Sequence, residues 1–214
     1  MDDVRDKILF AAKELFASQG YKKTTIRQIV EKSGVLIGSI YHFFQNKEDI
    51  FQAIVLELFN RSEELVNDHF SESESCALRY AIMCAIELKA VETNELVCEF
   101  YYEAYSSNVI LDKLTARASQ RSQGLFKEYN PDYTLEDYYV RTLMIKGVVR
   151  SCIASRYFKR DIEFDKMINT FIEISLHAFN VDETEIQHVK RRIGEMENDI
   201  SNIVAKLEEE SYVI

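Results

Sequence analysis

One proline, Pro131, and six glycines are the only strong chain breakers in 214 residues. A sheet-rich fold needs frequent turns, so this scarcity directs the chain toward long helices. The apolar spacing agrees. Ile8, Ala11, Ala12, Leu15 and Phe16 recur at helical intervals and predict a first helix over 3–19, closed by Gly20. Thr25-x-x-Gln28 has the form of a capping box, so a short second helix starts at Thr25 and stops at Gly34. A third helix is expected over 36–44, and a fourth opens at Asn46 with Glu48 and Asp49 in its first turn. Further helices are expected over about 75–92, 94–105, 108–128, 135–157 and 163–180, with Asn130-Pro131-Asp132 as the clearest break. No segment alternates with the period of a strand. The expected class is all-α.

The last stretch has a different pattern. After Asp182-x-x-Glu185, the residues Ile186, Val189, Ile193, Met196, Ile200, Ile203 and Leu207 are spaced alternately three and four apart. That is a heptad seam over three repeats, with Arg192 and Glu197 on its flanks. Two readings stand: self-association through a coiled coil, or an amphipathic helix folded back on its own domain. Gly194 on the outer side weakens the isolated helix by about 1 kcal/mol relative to alanine. The expected division is 1–46, 47–181 and 182–214.

No apolar run reaches 18 residues, so no membrane span is expected, and the acidic, amphipathic start differs from a signal peptide. A cytoplasmic protein follows as the expectation. Cys76, Cys84, Cys98 and Cys152 lack CxxC spacing and read as free thiols. The histidines His42, His69, His177 and His188 are scattered. With no metal-ligand spacing, Gly-rich phosphate loop or nucleophile motif, neither an enzyme, nor a metal, nor a cofactor is expected.

A net charge of −10 argues against nucleic acid until its distribution is considered. Between residues 22 and 47, Lys22, Lys23, Arg27, Lys32 and Lys47 stand against Glu31 alone. A small basic face therefore sits on an acidic body, and the local field decides what docks there. Two short helices joined at Gly34 within this basic stretch have the form of a helix-turn-helix, whose second helix lies in the DNA major groove. Ile40 and Phe44, four apart, point inward. Ser39, Tyr41 and His42 are left on or near the outer side, Gly38 permits close approach, and Lys47 begins the next helix.

The run from Thr24 to Phe51, TTIRQIVEKSGVLIGSIYHFFQNKEDIF, with AKELFASQGY before it, resembles the DNA-binding half of the TetR family of bacterial transcriptional regulators. The resemblance covers about the first fifty residues. It implies a homodimer that binds a double-stranded DNA operator, usually as a repressor. Helices 1 to 3 would form the head and helices 4 to 7 an effector pocket, while helices 8 and 9 would pair between protomers. It implies DNA contacts at Thr25, Ile37, Gly38, Tyr41, His42 and Lys47, and Arg27, Leu36 and Ser39 complete the candidate face. The family usually has histidine or tyrosine where this chain has Phe43, and polar residues where it has Leu36 and Ile37. Those two apolar residues suit a thymine methyl, unless Ile37 packs inward beside Ile40.

For the pocket, the tyrosine-rich region 101–139 supplies Tyr102, Phe126 and Tyr138, and Glu99 and Glu103 lie beside it. Aromatic walls with few polar tips suit a small molecule. If the two glutamates face the cavity, a cationic amphiphile is favoured; fatty-acid-like and drug-like hydrophobes also stand. For the dimer interface, Gly147, Ser151 and Ser155 form a small-residue stripe, joined by Phe171 and Ile174. The function expected is a ligand-responsive regulator. The alternative is a helical interaction scaffold that uses the heptad helix and binds DNA weakly.

Overall fold

The computed structural model describes residues 2–70 and 74–211. The last residues of the expected third segment, 212–214, lie outside the described residues. Eleven α-helices and no strand are present among the described residues. They are α1 (Asp2–Gln19), α2 (Ile26–Ser33), α3 (Ile37–Phe43), α4 (Lys47–His69), α5 (Cys76–Thr93) and α6 (Glu95–Ser106), then α7 (Asn108–Phe126), α8 (Leu135–Tyr157), α9 (Phe164–His177), α10 (Glu183–Glu195) and α11 (Glu197–Ser211).

Local chemistry sets most boundaries. Thr25 and Gln28 form the expected reciprocal capping box, and Asn46 accepts from the Asp49 amide at 2.9 Å. Thr134 and Asp137 form a second box, while Ser75, Asn94, Ser107 and Asp182 cap α5, α6, α7 and α10. Such caps satisfy amides that the helix leaves without partners, each contributing about 1 kcal/mol. Gly20 and Gly34 adopt φ of 83° and 67°, the left-handed conformation that ends α1 and α2. At the α7–α8 break, buried Asn130 donates to the carbonyls of Phe126 at 3.1 Å and Phe179 at 2.7 Å, tying the loop to the end of α9.

Helix α5 is the axis of the larger body. It carries buried residues around its circumference, including Ala77, Ala81, Ala85 and Ala90, and packs against α4 and α6 through α11. A helix buried around most of its circumference belongs at the centre of a bundle, and small alanines let neighbours approach closely. At the other end, α1, α2 and α3 close a small core of Ile8, Ala12, Phe16, Ile29 and Ile40 against the start of α4.

The heptad segment resolves in favour of folding back. The expected single tenth helix is two, broken at Met196, and all seven seam residues are buried. Helix α10 packs on α5 and α9, and α11 packs on α5 and α4. Both halves of the stripe lie on the body on either side of the break. The flanking charges also serve the fold. Arg192 pairs with Glu74 at 3.0 Å, and Glu197 pairs with Lys89 at 3.0 Å. We expect Ile193→Ala and Ile200→Ala each to lower the unfolding free energy by about 2–4 kcal/mol in denaturant titrations, with the sedimentation coefficient unchanged. A loss of self-association without a loss of stability would reverse this assignment.

Candidate nucleic-acid interface and buried cavity

The outer face of α3 follows from helical spacing at Gly38, Tyr41 and His42, and Leu36 and Ile37 join it at the start of the helix. Ile40 is fully buried and Phe44 nearly so, which turns the opposite side of a seven-residue helix to solvent. There Leu36 is 81% exposed, Ile37 54% and Tyr41 55%, with Gly38 and His42 also exposed and Ser39 half-buried. Ile37 does not pack inward beside Ile40. Nothing lies within 4 Å of where a Cβ on Gly38 would sit, so the helix surface there is open. Phe43 turns partly into the core and meets His42 edge-on at 5.0 Å. Arg27 is exposed on α2, and exposed Thr25 is engaged in its capping box.

Lys47 is placed differently from the expectation. Its ammonium donates to the carbonyls of Tyr21 at 2.7 Å and Thr24 at 2.8 Å and lies 4.1 Å from the centre of the Tyr21 ring. Partial burial lowers its pKa. The side chain holds the α1–α2 turn from inside instead of projecting outward. Carbonyl acceptors at the end of α1 attract a cation more closely than solvent does.

The same turn explains Glu99 and Glu103. Glu103 pairs with Lys22 at 2.6 Å, and that bond raises the lysine pKa. Glu99 lies against Gly20, where an added Cβ would come within 2.9 Å of its Oε1. Both glutamates thus bind the head to α6 and do not enter the cavity. An aromatic chain runs beside them. Tyr21 stacks on Phe51 at 4.2 Å, Phe16 meets Phe51 at 5.6 Å, and Phe51 meets Phe100 at 4.9 Å.

The cavity itself, about 390 Å³, opens among α4, α5, α6, α7 and α8. None of the five residues expected to line it does so. Tyr102 stacks on Tyr157 at 4.0 Å, and Phe126 and Tyr138 pack on Phe179 in the core. The walls are instead Phe59, Tyr80, Met83 and Tyr101, with Leu114 and Ile145. Buried polar residues join them. Lys146 donates to the Tyr105 hydroxyl at 2.7 Å and lies 3.4 Å from Glu87, and the Tyr105 hydroxyl donates to Glu87. Burial and this carboxylate push the Tyr105 pKa up. A sequence signal existed: Lys146 shares the stripe of Thr142, Ile145 and Val149 on α8, where a charged residue needs a partner.

Of the expected interface residues, Gly147 and Ser151 are exposed and Ser155 is half-exposed on α8, and Ile174 is 48% exposed on α9. Val140, Leu143 and Met144 extend this apolar face, and Met144 is 68% exposed. Phe171 is a correction: it is buried within the protomer and unavailable to a partner. The four cysteines are free thiols. Among the described residues, no helix is long and apolar enough to cross a membrane, and no three His, Cys, Asp or Glu side chains gather as a metal site.

Residues 8–54 match the family described as bacterial regulatory proteins, tetR family. The HTH-type transcriptional regulator QacR of Staphylococcus aureus is 27% identical over 191 residues, which is 83% of this chain and 99% of that protein. The HTH-type transcriptional regulator LmrA of Bacillus subtilis is 27% identical over 195 residues, 91% of this chain and 96% of that protein. The crystal structure of RolR in complex with resorcinol is similar in fold, with a TM-score of 0.67 at 18% identity, covering 89% of this chain and 94% of that one. The helix-turn-helix head thus matches the tetR family of bacterial regulatory proteins, and the chain as a whole is similar to the transcriptional regulators QacR and LmrA over nearly their full lengths.

Proposed function

We propose that the protein is a ligand-responsive DNA-binding transcriptional regulator that represses from a palindromic operator as a homodimer, in the cytoplasm, and leaves DNA when an effector fills the α4–α8 cavity. The observation that carries this reading is the exposed row Leu36, Ile37, Gly38, Tyr41 and His42 on α3, within a head that matches the family. Residues 1–46 act as the reader. Residues 47–181 hold the effector and the dimer face, and α10 and α11 brace that body. The scaffold alternative loses its main support, because the seam it needed is buried within the protomer.

The mechanism is a shift between two head spacings. Two recognition helices about 34–36 Å apart fit successive major grooves on one face of DNA. An effector weakens DNA binding only by its preference for the mis-spaced state. The contact chain Tyr101–Phe100–Phe51–Tyr21, with the Lys22–Glu103 pair beside it, supplies a packed route from cavity to head. The half-exposed apolar face on α8 and α9 supports the dimer, since such patches on monomers are small unless functional.

Selection of bound sequences from a random DNA pool tests the reading: a palindromic motif is expected, and no enrichment at low salt would refute it. In the same selection, Leu36→Ser with Ile37→Ser should cost about 1 kcal/mol or more at thymine positions of each half-site. A loss equal at all positions would show that these residues do not read bases. Met144→Glu should shift the protein to monomers in sedimentation and weaken operator binding; dimers that persist unchanged would move the interface elsewhere.

A further inference from the structure

The cavity carries five charged side chains, Glu63, Glu87, Arg117, Arg121 and Lys146, among aromatic and aliphatic walls. Both acids are already engaged. Glu63 accepts from Arg117 at 3.2 Å, and Glu87 accepts from Tyr105 and faces Lys146. Arg121 has no carboxylate within ion-pair distance among the described residues, and Lys146 retains a donor beyond its bonds to Tyr105 and Glu87. Arg121 and Lys146 both line this one cavity, on α7 and α8. One turn before Lys146, Thr142 is 4% exposed, and its Oγ1 has no hydrogen-bond partner although it lines the cavity. A buried hydroxyl without a partner is costly, and cationic groups lining a cavity favour an anion or acceptor there.

These groups converge on an acceptor-rich ligand of negative charge. The volume lies near the small end for small-molecule sites, and Phe59, Tyr80 and Tyr101 offer ring surfaces. We propose that the cavity takes a small aromatic oxyanion, a ring carboxylate or phenolate, with its charged oxygens toward Arg121 and Lys146 and a polar atom on Thr142. This inference rests on the cavity being the effector site. It replaces the cationic amphiphile, because the glutamates that favoured one bind the head.

The test uses three ring-matched probes, 2-naphthoate, 2-naphthalenemethanol and 2-naphthylmethylammonium, titrated calorimetrically into the full chain without DNA. Naphthoate should bind about tenfold tighter than the alcohol, and the ammonium weakest. Arg121→Gln should erase the preference for naphthoate over the alcohol. So should Lys146→Met carried together with Glu87→Gln, which avoids leaving a buried acid unpaired. Thr142→Val should weaken naphthoate several-fold. Equal binding of the three probes, tighter ammonium binding, no naphthoate binding, or a preference that survives both charge variants would each overturn the proposal. If naphthoate binds with the expected dependence yet leaves DNA occupancy unchanged, the ligand class stands and the cavity's regulatory role fails.

Discussion

Phe51 is the contact on which the two halves of the molecule depend. It is 1% exposed, one turn into α4, and meets Phe16 and Tyr21 of the head on one side and Phe100 of α6 on the other. Offset and edge-to-face ring pairs of this kind contribute beyond the area they bury. The surrounding polar contacts are arranged about it. Lys47 closes over the Tyr21 ring, Lys22 reaches Glu103, and Glu99 presses on Gly20. The head is therefore seated on the body through a dry aromatic centre with a charged rim. Phe51 and Phe100 thus join α4 and α6 to the end of α1 by direct contact.

Charge is segregated by the same design. The acidic body would repel DNA, yet the basic side chains of residues 22–47 cluster on the head. Lys47 turns inward, Lys22 pairs with Glu103 and Lys32 with Glu14, which leaves Arg27, Lys23 and the polar edge of α3 to face outward. Exposed apolar residues lead α3, where a charged helix start would have added to the basic face.

The DNA face was legible because it depends on local periodicity. Once Ile40 and Phe44 point inward, the exposure of Gly38, Tyr41 and His42 follows from helix geometry, whereas the side taken by Ile37 was settled only by the structure. The cavity was not legible for the opposite reason. Its lining comes from five helices spread from Phe59 to Val149, and a spacing pattern on one helix cannot say which neighbour it meets. Glu99 and Glu103 were placed beside aromatic residues correctly in sequence. Their true partners, Gly20 and Lys22, lie some eighty positions earlier. Lys146 and Glu87 each broke an apolar stripe, and two charges on buried faces were the available sign of a polar site.

By itself the sequence determined the helical class, the approximate extent of the first nine helices, the caps at Thr25, Asn46 and Asp182, and the helix-turn-helix head. Each of these follows from contacts within a turn or two of chain. Only the tertiary structure decided where the heptad stripe went, what filled the space among α4 to α8, and whether Phe171 or Ile174 stayed at the surface. Apolar spacing states that a face will be buried, but it carries no information about the surface that buries it. Here α5 was that surface for α10 and α11, because it carries buried residues around most of its circumference.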